Sequence, residues 1–287
     1  AARSAKLMQA ALQASKAPKE LTFVIGTEVP PPGGARLDAH GDINATLPEA
    51  AKATLEAHAL AFRDLGLTDV ITQVSGLVVQ PGVEFSPMQV HDLPSRRDPG
   101  LRNVMMNWPN LCLEAHSTDY QSPDVYPRLA ELGFAYQKVG PALTYAWRRA
   151  VYALDQIVAF ISVKPANLPP VMERLMLKNP EYWISHYSGD DPSCFVQRHF
   201  GLADRIRYYW PQEAARDAVQ TLMQQFSVQS LSEPLLDQFF APDVVKRANE
   251  AGRLTGQSLI DASVEVALEP YFFGFGRTKI AKMEAEA

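Results

Sequence analysis

The sequence has little that would tie it to a membrane, a nucleic acid or an oxidising compartment. Only two cysteines, Cys112 and Cys194, occur in 287 residues. They form neither a CxxC pair nor a disulfide framework. No apolar run approaches the ~20 residues that a membrane-spanning helix needs. No basic segment followed by an apolar one opens the chain as a secretory signal would. Charge of one sign is also scarce: 27 Lys and Arg stand against 32 Asp and Glu, a formal charge of -5. That mild acidity argues against a broad nucleic-acid face. Tandem repeats, a low-complexity tail, HExxH, the phosphate loop GxxxxGK[ST] and a kinase HRD–DFG set are all absent. The expectation is a cytoplasmic protein with neither nucleic acid nor membrane as partner.

What is present is a repeated unit. The apolar fraction is 47%, ordinary for a globular protein. Leu21 to Ile25 reads as a buried strand running into Gly-Thr-Glu. Gly76 to Val79 reads as a second, ending at Gln80-Pro81-Gly82. Leu111 to Ala115 and Phe134 to Val139 are the third and fourth. A helix follows each. The first opens on Thr46-Leu47-Pro48-Glu49, a capping-box pattern. It carries Ala51, Leu55, Ala59, Phe62 and Leu65 on one face, and Gly66 is placed to end it. Before the first strand, residues 1–14 read as a helix with Leu7, Ala11 and Leu12 on one side.

Strand, polar loop and helix in alternation predict parallel α/β structure. Polar or glycine-rich sequence follows every strand, as it does at the active-site end of a (β/α)8 TIM-type barrel. A doubly wound sheet obeys the same logic, and the barrel is preferred. Four strands cannot close an eight-stranded barrel. Residues 1–162 are therefore expected to be the C-terminal portion of one, with the remainder absent or supplied elsewhere. The chain opens on Ala1 inside a helix, which predicts an incomplete copy of a longer protein. From residue 163 prolines and short helical patterns take over. Residues 163–287 are expected to form a mainly helical extension packed on the barrel.

Side chains of a strand alternate between faces. In Leu-Cys-Leu-Glu-Ala-His, the apolar set is Leu111, Leu113 and Ala115, and the other face carries Cys112, Glu114 and His116. Asp119 lies just beyond. Glu, His and Asp can bind a divalent metal or shuttle protons, or they can form an internal salt bridge. Glu28 ends the first strand, Gln80 and Glu84 flank the turn after the second, and His91-Asp92 follows in that loop. The candidate metal ligands are Glu28, Glu114 and His116. The candidate catalytic groups are these three with Asp119 and Lys138. Lys138 sits at a strand end, where a buried ammonium costs desolvation unless paired. It would neutralise a phosphate, stabilise an enolate, form a Schiff base or pair with Glu114. Gly140, before a helix N-terminus that favours anions, joins Gln80, Glu84 and Lys138 as candidate substrate-binding residues. His58 is expected to pack between helix and sheet, while His40 and His199 carry no specific signal. Tyr182 to Tyr187 and Arg205 to Trp210 mix aromatic and basic groups, the composition of packed side chains with wet tips or of interface anchors.

These segments carry a resemblance. VIGTEVPPPGGA, EAAKATLEAHALAF, GLVVQPGVEF, LEAHSTDYQ, KVGPALTYAWRRA, NPEYWISHYSGD and RIRYYWP closely resemble the non-catalytic subunit family of class II D-tagatose-1,6-bisphosphate aldolase. The family is also described as a tagatose-6-phosphate kinase. The resemblance implies a TIM-type barrel, absence of about the first third of the family pattern, and a place in galactitol and amino-galactose catabolism. It implies a separate catalytic aldolase subunit as partner, whose activity and stability this chain would support. In class II aldolases Zn²⁺ polarises a carbonyl and stabilises an enediolate, so a divalent metal such as zinc is the implied cofactor. A sugar-phosphate ligand and a homo-oligomer are further expectations. A metal-dependent sugar-phosphate aldolase or epimerase is the alternative function, and the kinase a second one. Glu28, Gln80, Glu84, Glu114, His116, Asp119 and Lys138 all fall within the matching segments.

Overall fold

The computed structural model describes residues 1–26, 43–94, 96–108, 110–162, 165–227, 231–250, 252 and 254–274. The chain divides into two units. The first comprises Ala1–Phe85, Val90–Val139 and Tyr271–Ala287, the second Ser86–Gln89 and Gly140–Pro270.

The first unit runs α1 (Ala2–Ala14), β1 (Phe23–Gly26), α2 (Pro48–Asp64), β2 (Val74–Val79), β3 (Glu84–Phe85), β4 (Val90–His91), α3 (Arg102–Met105), β5 (Cys112–Ala115), α4 (Val125–Glu131) and β6 (Phe134–Gln137). Four strands form one sheet in the order β1–β2–β5–β6, and every pair is parallel. Strand order thus follows chain order. Parallel crossovers are almost always right-handed, so such an order winds every connecting helix onto the same face. The core agrees. Ile25, Leu77, Leu113 and Phe134 stand in register across the sheet. They share one cluster with Ala5 and Met8 of α1, Ala51, Leu55 and Phe62 of α2, Val104 of α3 and Leu129 of α4. The opposite face carries the row Gly26, Val78, Glu114 and Tyr136. There Val24 remains 47% exposed and Tyr136 44%.

Two local expectations change. The buried stripe of α1 is Ala5 and Met8, and Leu7 is exposed. The stripe follows i, i+3 and reaches half-buried Leu12 at i+7. It is therefore rotated from the expected Leu7–Ala11–Leu12 face. The capping box does not form. Leu47 is the N-cap, Pro48 occupies the first turn, and no side chain caps the helix. The Thr46 hydroxyl instead accepts the Gln80 N–H at 2.8 Å, and the Thr46 N–H donates to the Gln80 carbonyl at 2.8 Å. Gly66 follows α2 with φ +69°, the left-handed step expected of it. His58 is buried on α2 beside Ala51, Leu55 and Phe62. Burial holds its pKa below the ordinary imidazole value, while its Nδ1 lies 2.8 Å from the Thr54 carbonyl.

The second unit contains α5 (Pro141–Ile161), α6 (Leu168–Lys178), α7 (Asp191–Phe200), α8 (Glu213–Ser227), α9 (Glu233–Asp237), α10 (Pro242–Glu250) and α11 (Gly256–Gly274) as far as Pro270. Its apolar core draws on Val151, Leu154, Ile157 and Val158 of α5 and Met172 and Met176 of α6. Polar groups are paired inside it as well, fully buried in one case and partly in another. Arg148 of α5 donates through Nε to Asp204 Oδ1 at 2.8 Å, with side chains 2% and 0% exposed. The Arg148 guanidinium also lies 4.4 Å from the Tyr145 ring centre. Nearby, the Tyr152 hydroxyl sits 2.8 Å from His199 Nδ1, and His199 Nε2 sits 3.1 Å from Glu173 Oε2. One tautomer satisfies both contacts: Tyr152 donates to Nδ1 and Nε2–H donates to Glu173. Arg198 grips the same carboxylate through Nε at 3.0 Å and a terminal nitrogen at 2.5 Å.

Removing one member of the Arg148–Asp204 pair leaves a buried charge without compensation. Arg148→Ala should therefore lower stability by about 3–5 kcal/mol in urea titrations, whereas Arg148→Met with Asp204→Asn, which removes both charges and suits the left-handed backbone at residue 204 (φ 45°), should lose less. The His199 chain makes a pH prediction. Burial, ahead of the Arg198 and Arg148 charges, outweighs Glu173 and holds the His199 pKa below 6.5. The unfolded chain then binds more protons, so this contribution is full above pH 6.5 and is lost as pH falls towards the folded value. His199→Gln should flatten the dependence of the urea midpoint on pH across that window; an unchanged slope would contradict the assignment.

Candidate functional site at the strand ends

Polar groups collect where the parallel strands end, and β5 supplies the central pair. Glu114 lies on the sheet face away from the helices, and two residues on His116 continues that face. His116 Nε2 is 2.8 Å from Glu114 Oε1, with side chains 22% and 16% exposed. The period-2 alternation of a strand explains why they meet. The next segment turns sharply: Ser117 and Tyr120 both adopt positive φ, 57° and 64°. Non-glycine residues seldom hold that conformation unless their surroundings impose it.

The surroundings here are a set of buried hydroxyls. The Thr118 hydroxyl donates to the Lys138 carbonyl at 3.0 Å and is in hydrogen-bond contact with the Tyr271 hydroxyl at 3.2 Å. The Tyr126 hydroxyl donates to the Thr118 carbonyl at 3.1 Å. The Lys138 N–H in turn donates to the Ala115 carbonyl at 3.0 Å. The end of β5 is thereby tied to the end of β6. Burial pushes the Tyr126 phenol up to about 12, and burial with the nearby Asp119 charge raises Tyr271 as well. Both stay neutral donors and acceptors at physiological pH. Asp119 itself is buried, 2% exposed.

The turn after β2 is equally built. Gln80 is buried, and its Oε1 accepts the N–H groups of Gly82 and Val83 at 2.9 and 3.1 Å. Gly82 has φ +108°, and a Cβ there would come within 2.8 Å of the Arg97 guanidinium. A side chain there would strain the backbone and displace Arg97. Glu84 is buried in β3, its Oε1 accepting the Phe85 N–H at 2.9 Å. It pairs with His91 across the β3–β4 ladder.

The expected residues thus separate. Glu114, His116 and Asp119 occupy one strand terminus. Gln80 and Glu84 shape the neighbouring turn. Lys138 is exposed, and no ion pair with Glu114 forms. It lies one residue past the end of β6, and the argued desolvation does not arise in this structure. Gly140 is the N-cap of α5, with Pro141 in the first turn. Glu28 and His40 lie outside the described residues. Sequence reasoning missed Thr118, Tyr126 and Tyr271, because hydroxyls so far apart in the chain have no local pattern.

A carboxylate and an imidazole suit zinc, but a catalytic zinc needs three protein donors. Among the described residues no three His, Cys, Asp or Glu side chains gather to hold a metal. Glu114 and His116 also engage each other. The described donors do not by themselves fit the ion.

The fold and the strand-end residues define a parallel α/β protein with a polar cluster at the carboxyl ends of its strands. Residues 1–275 match the D-tagatose-1,6-bisphosphate aldolase subunit GatZ/KbaZ-like family, and the chain belongs to that family. Among solved structures, it resembles that of a probable tagatose 6 phosphate kinase from Sinorhizobium meliloti 1021. The two share 36% identity and a TM-score of 0.82, over 96% of this chain and 67% of that one. No helix among the described residues is long and apolar enough to cross a membrane.

The hydroxyl set is testable. Thr118→Val keeps the shape but removes the donor to Lys138. It should cost roughly 1–3 kcal/mol, the penalty for unsatisfied buried polar groups, and Thr118→Ser should restore most of it. A chemical-denaturation difference near zero for Thr118→Val would show that the two strand ends are not held this way.

Proposed function

We propose that this chain is an accessory subunit of a class II D-tagatose-1,6-bisphosphate aldolase, acting in carbohydrate catabolism by supporting the activity and stability of a separate catalytic subunit. Membership of the aldolase-subunit family over residues 1–275 carries the reading. At the strand ends the Glu114 and His116 side chains meet at 2.8 Å. In this reading the pair is architecture retained from an enzyme fold.

The same reading makes β1, β2, β5 and β6 consecutive staves of a (β/α)8-type barrel. The support is the strand order, which matches chain order, and the placing of the helix-packed core on one face only. An open doubly wound sheet reverses its strand order to cover both faces, and these four strands do not. Glu114, Val24 and Tyr136 would then point into the barrel.

A second reading is phosphoryl transfer to tagatose 6-phosphate, supported by the description of the Sinorhizobium relative. The chain offers it no phosphate loop and no HRD–DFG set. The two readings separate in one set of assays. The purified protein should show little aldolase turnover alone, should co-migrate with the cognate catalytic subunit in light scattering, and should raise that subunit's turnover. Cleavage of tagatose 1,6-bisphosphate by the protein alone would reject the non-catalytic role. ADP formation that depends on tagatose 6-phosphate would establish the kinase instead.

A further inference from the structure

Most cationic side chains that the second unit holds rigidly have a carboxylate to hold them. Arg148 has Asp204, Arg198 has Glu173 and Arg247 has Glu269. Arg205 and Arg207 differ. Neither meets a carboxylate among the described residues, and the residues of this unit outside that set include no Asp or Glu. Both are nevertheless fixed. Arg205 donates through Nε to the Tyr182 carbonyl at 2.5 Å, and its guanidinium lies 4.8 Å from the Tyr208 ring centre. Arg207 donates through one terminal nitrogen to the Ala203 and Asp204 carbonyls at 2.6 and 3.0 Å. Through the other it reaches the Tyr208 hydroxyl at 3.0 Å, with its guanidinium 4.5 Å from the same ring. Tyr182 stacks on Tyr208, ring centres 5.2 Å apart.

Neutral carbonyls and ring faces hold these arginines in place without cancelling their charge. His186 lies in the same field. Burial first, then the charges of Arg205 and Arg207, hold its pKa below the ordinary value. Two charged guanidiniums, with an imidazole whose protonation they disfavour, therefore share one patch on a chain whose formal charge is -5. The aromatic part of the patch is open to solvent: Tyr182 is 40% exposed and Tyr208 39%, and Ile184 in the same turn is 59% exposed. Exposed Tyr beside half-buried Arg205 and Arg207, each tethered by hydrogen bonds, match the make-up of protein interface hot spots, and pre-ordering lowers the entropy lost on association.

We infer that Tyr182, His186, Arg205, Arg207 and Tyr208 form a docking surface for a partner protein that presents carboxylates to the two guanidiniums. The occupant is the catalytic aldolase subunit, so the inference rests on the accessory reading above. Charge complementarity singles out an acidic face: the carboxylates would pair the two guanidiniums while apolar side chains cover the tyrosines.

The test measures binding of the cognate catalytic subunit to the whole protein by calorimetry, at low and high salt. Two variants probe the patch. Arg205→Glu with Arg207→Glu reverses its charge. His186→Glu leaves both arginines and their tethers in place and supplies a competing carboxylate from an exposed position. Melting temperature serves as the folding control. Each variant should bind at least ~tenfold more weakly, and the wild-type affinity should fall with salt more steeply than that of His186→Glu. Wild-type binding with His186→Glu equal to wild type at both salt levels overturns this surface and leaves the subunit reading intact. No binding by the wild type defeats the subunit reading, and the docking inference with it. Binding of inorganic phosphate that His186→Glu abolishes, with partner binding unchanged, would make the patch a small-anion site and overturn the docking inference.

Discussion

The handedness of parallel crossovers governs the first unit. Once β1, β2, β5 and β6 lie side by side in chain order, right-handed connections can place helices on one face only. Ile25, Leu77, Leu113 and Phe134 are then committed to that face, and α1 to α4 supply the apolar cover. Every residue at the alternate positions points the other way, including Val24, Glu114 and Tyr136. The polar pair therefore occupies its position because of the pleat, whatever its chemistry.

That arrangement leaves the strand ends to be organised by polar contacts. The sheet provides the start of each turn but not its course. Gln80 shapes the turn after β2 by accepting two backbone N–H groups, and Thr46 fixes Gln80 through the backbone. Thr118, with Tyr126 and Tyr271, holds the positive-φ segment after β5 and joins it to β6. The second unit uses the same economy inside its helical core. Arg148 with Asp204 ties α5 to the loop after α7, and Tyr152 with His199 and Glu173 ties α5, α7 and α6 to one another. Arg205 and Arg207 show the contrasting case, held by neutral groups and left charged.

Much of this was legible in the chain because it is periodic. Alternation in Leu-Cys-Leu-Glu-Ala-His placed Glu114 and His116 on one face, and the 2.8 Å contact follows from it. The four strands announced themselves as short apolar runs before polar loops, and the observed bounds differ from the expected ones by up to two residues. Long-range partnerships were not legible. Thr46 matches a capping box locally, yet a strand end 34 residues away takes its hydroxyl. Tyr271 meets Thr118 across 153 residues and Arg148 meets Asp204 across 56. No spacing rule reaches that far. Lys138 misled for a related reason: its apolar neighbours suggested burial, yet its side chain is exposed just past the end of β6. The long matching segments reached further than any of these local signals, since they pointed to the aldolase-subunit family to which residues 1–275 belong.

The central claim is that this chain acts by stabilising another subunit. The inactivation half-life of the catalytic aldolase subunit, titrated with this protein at a fixed raised temperature, tests it most directly. The account predicts a half-life that lengthens with added protein and levels off at a definite molar ratio. A half-life that stays constant across the titration would contradict it.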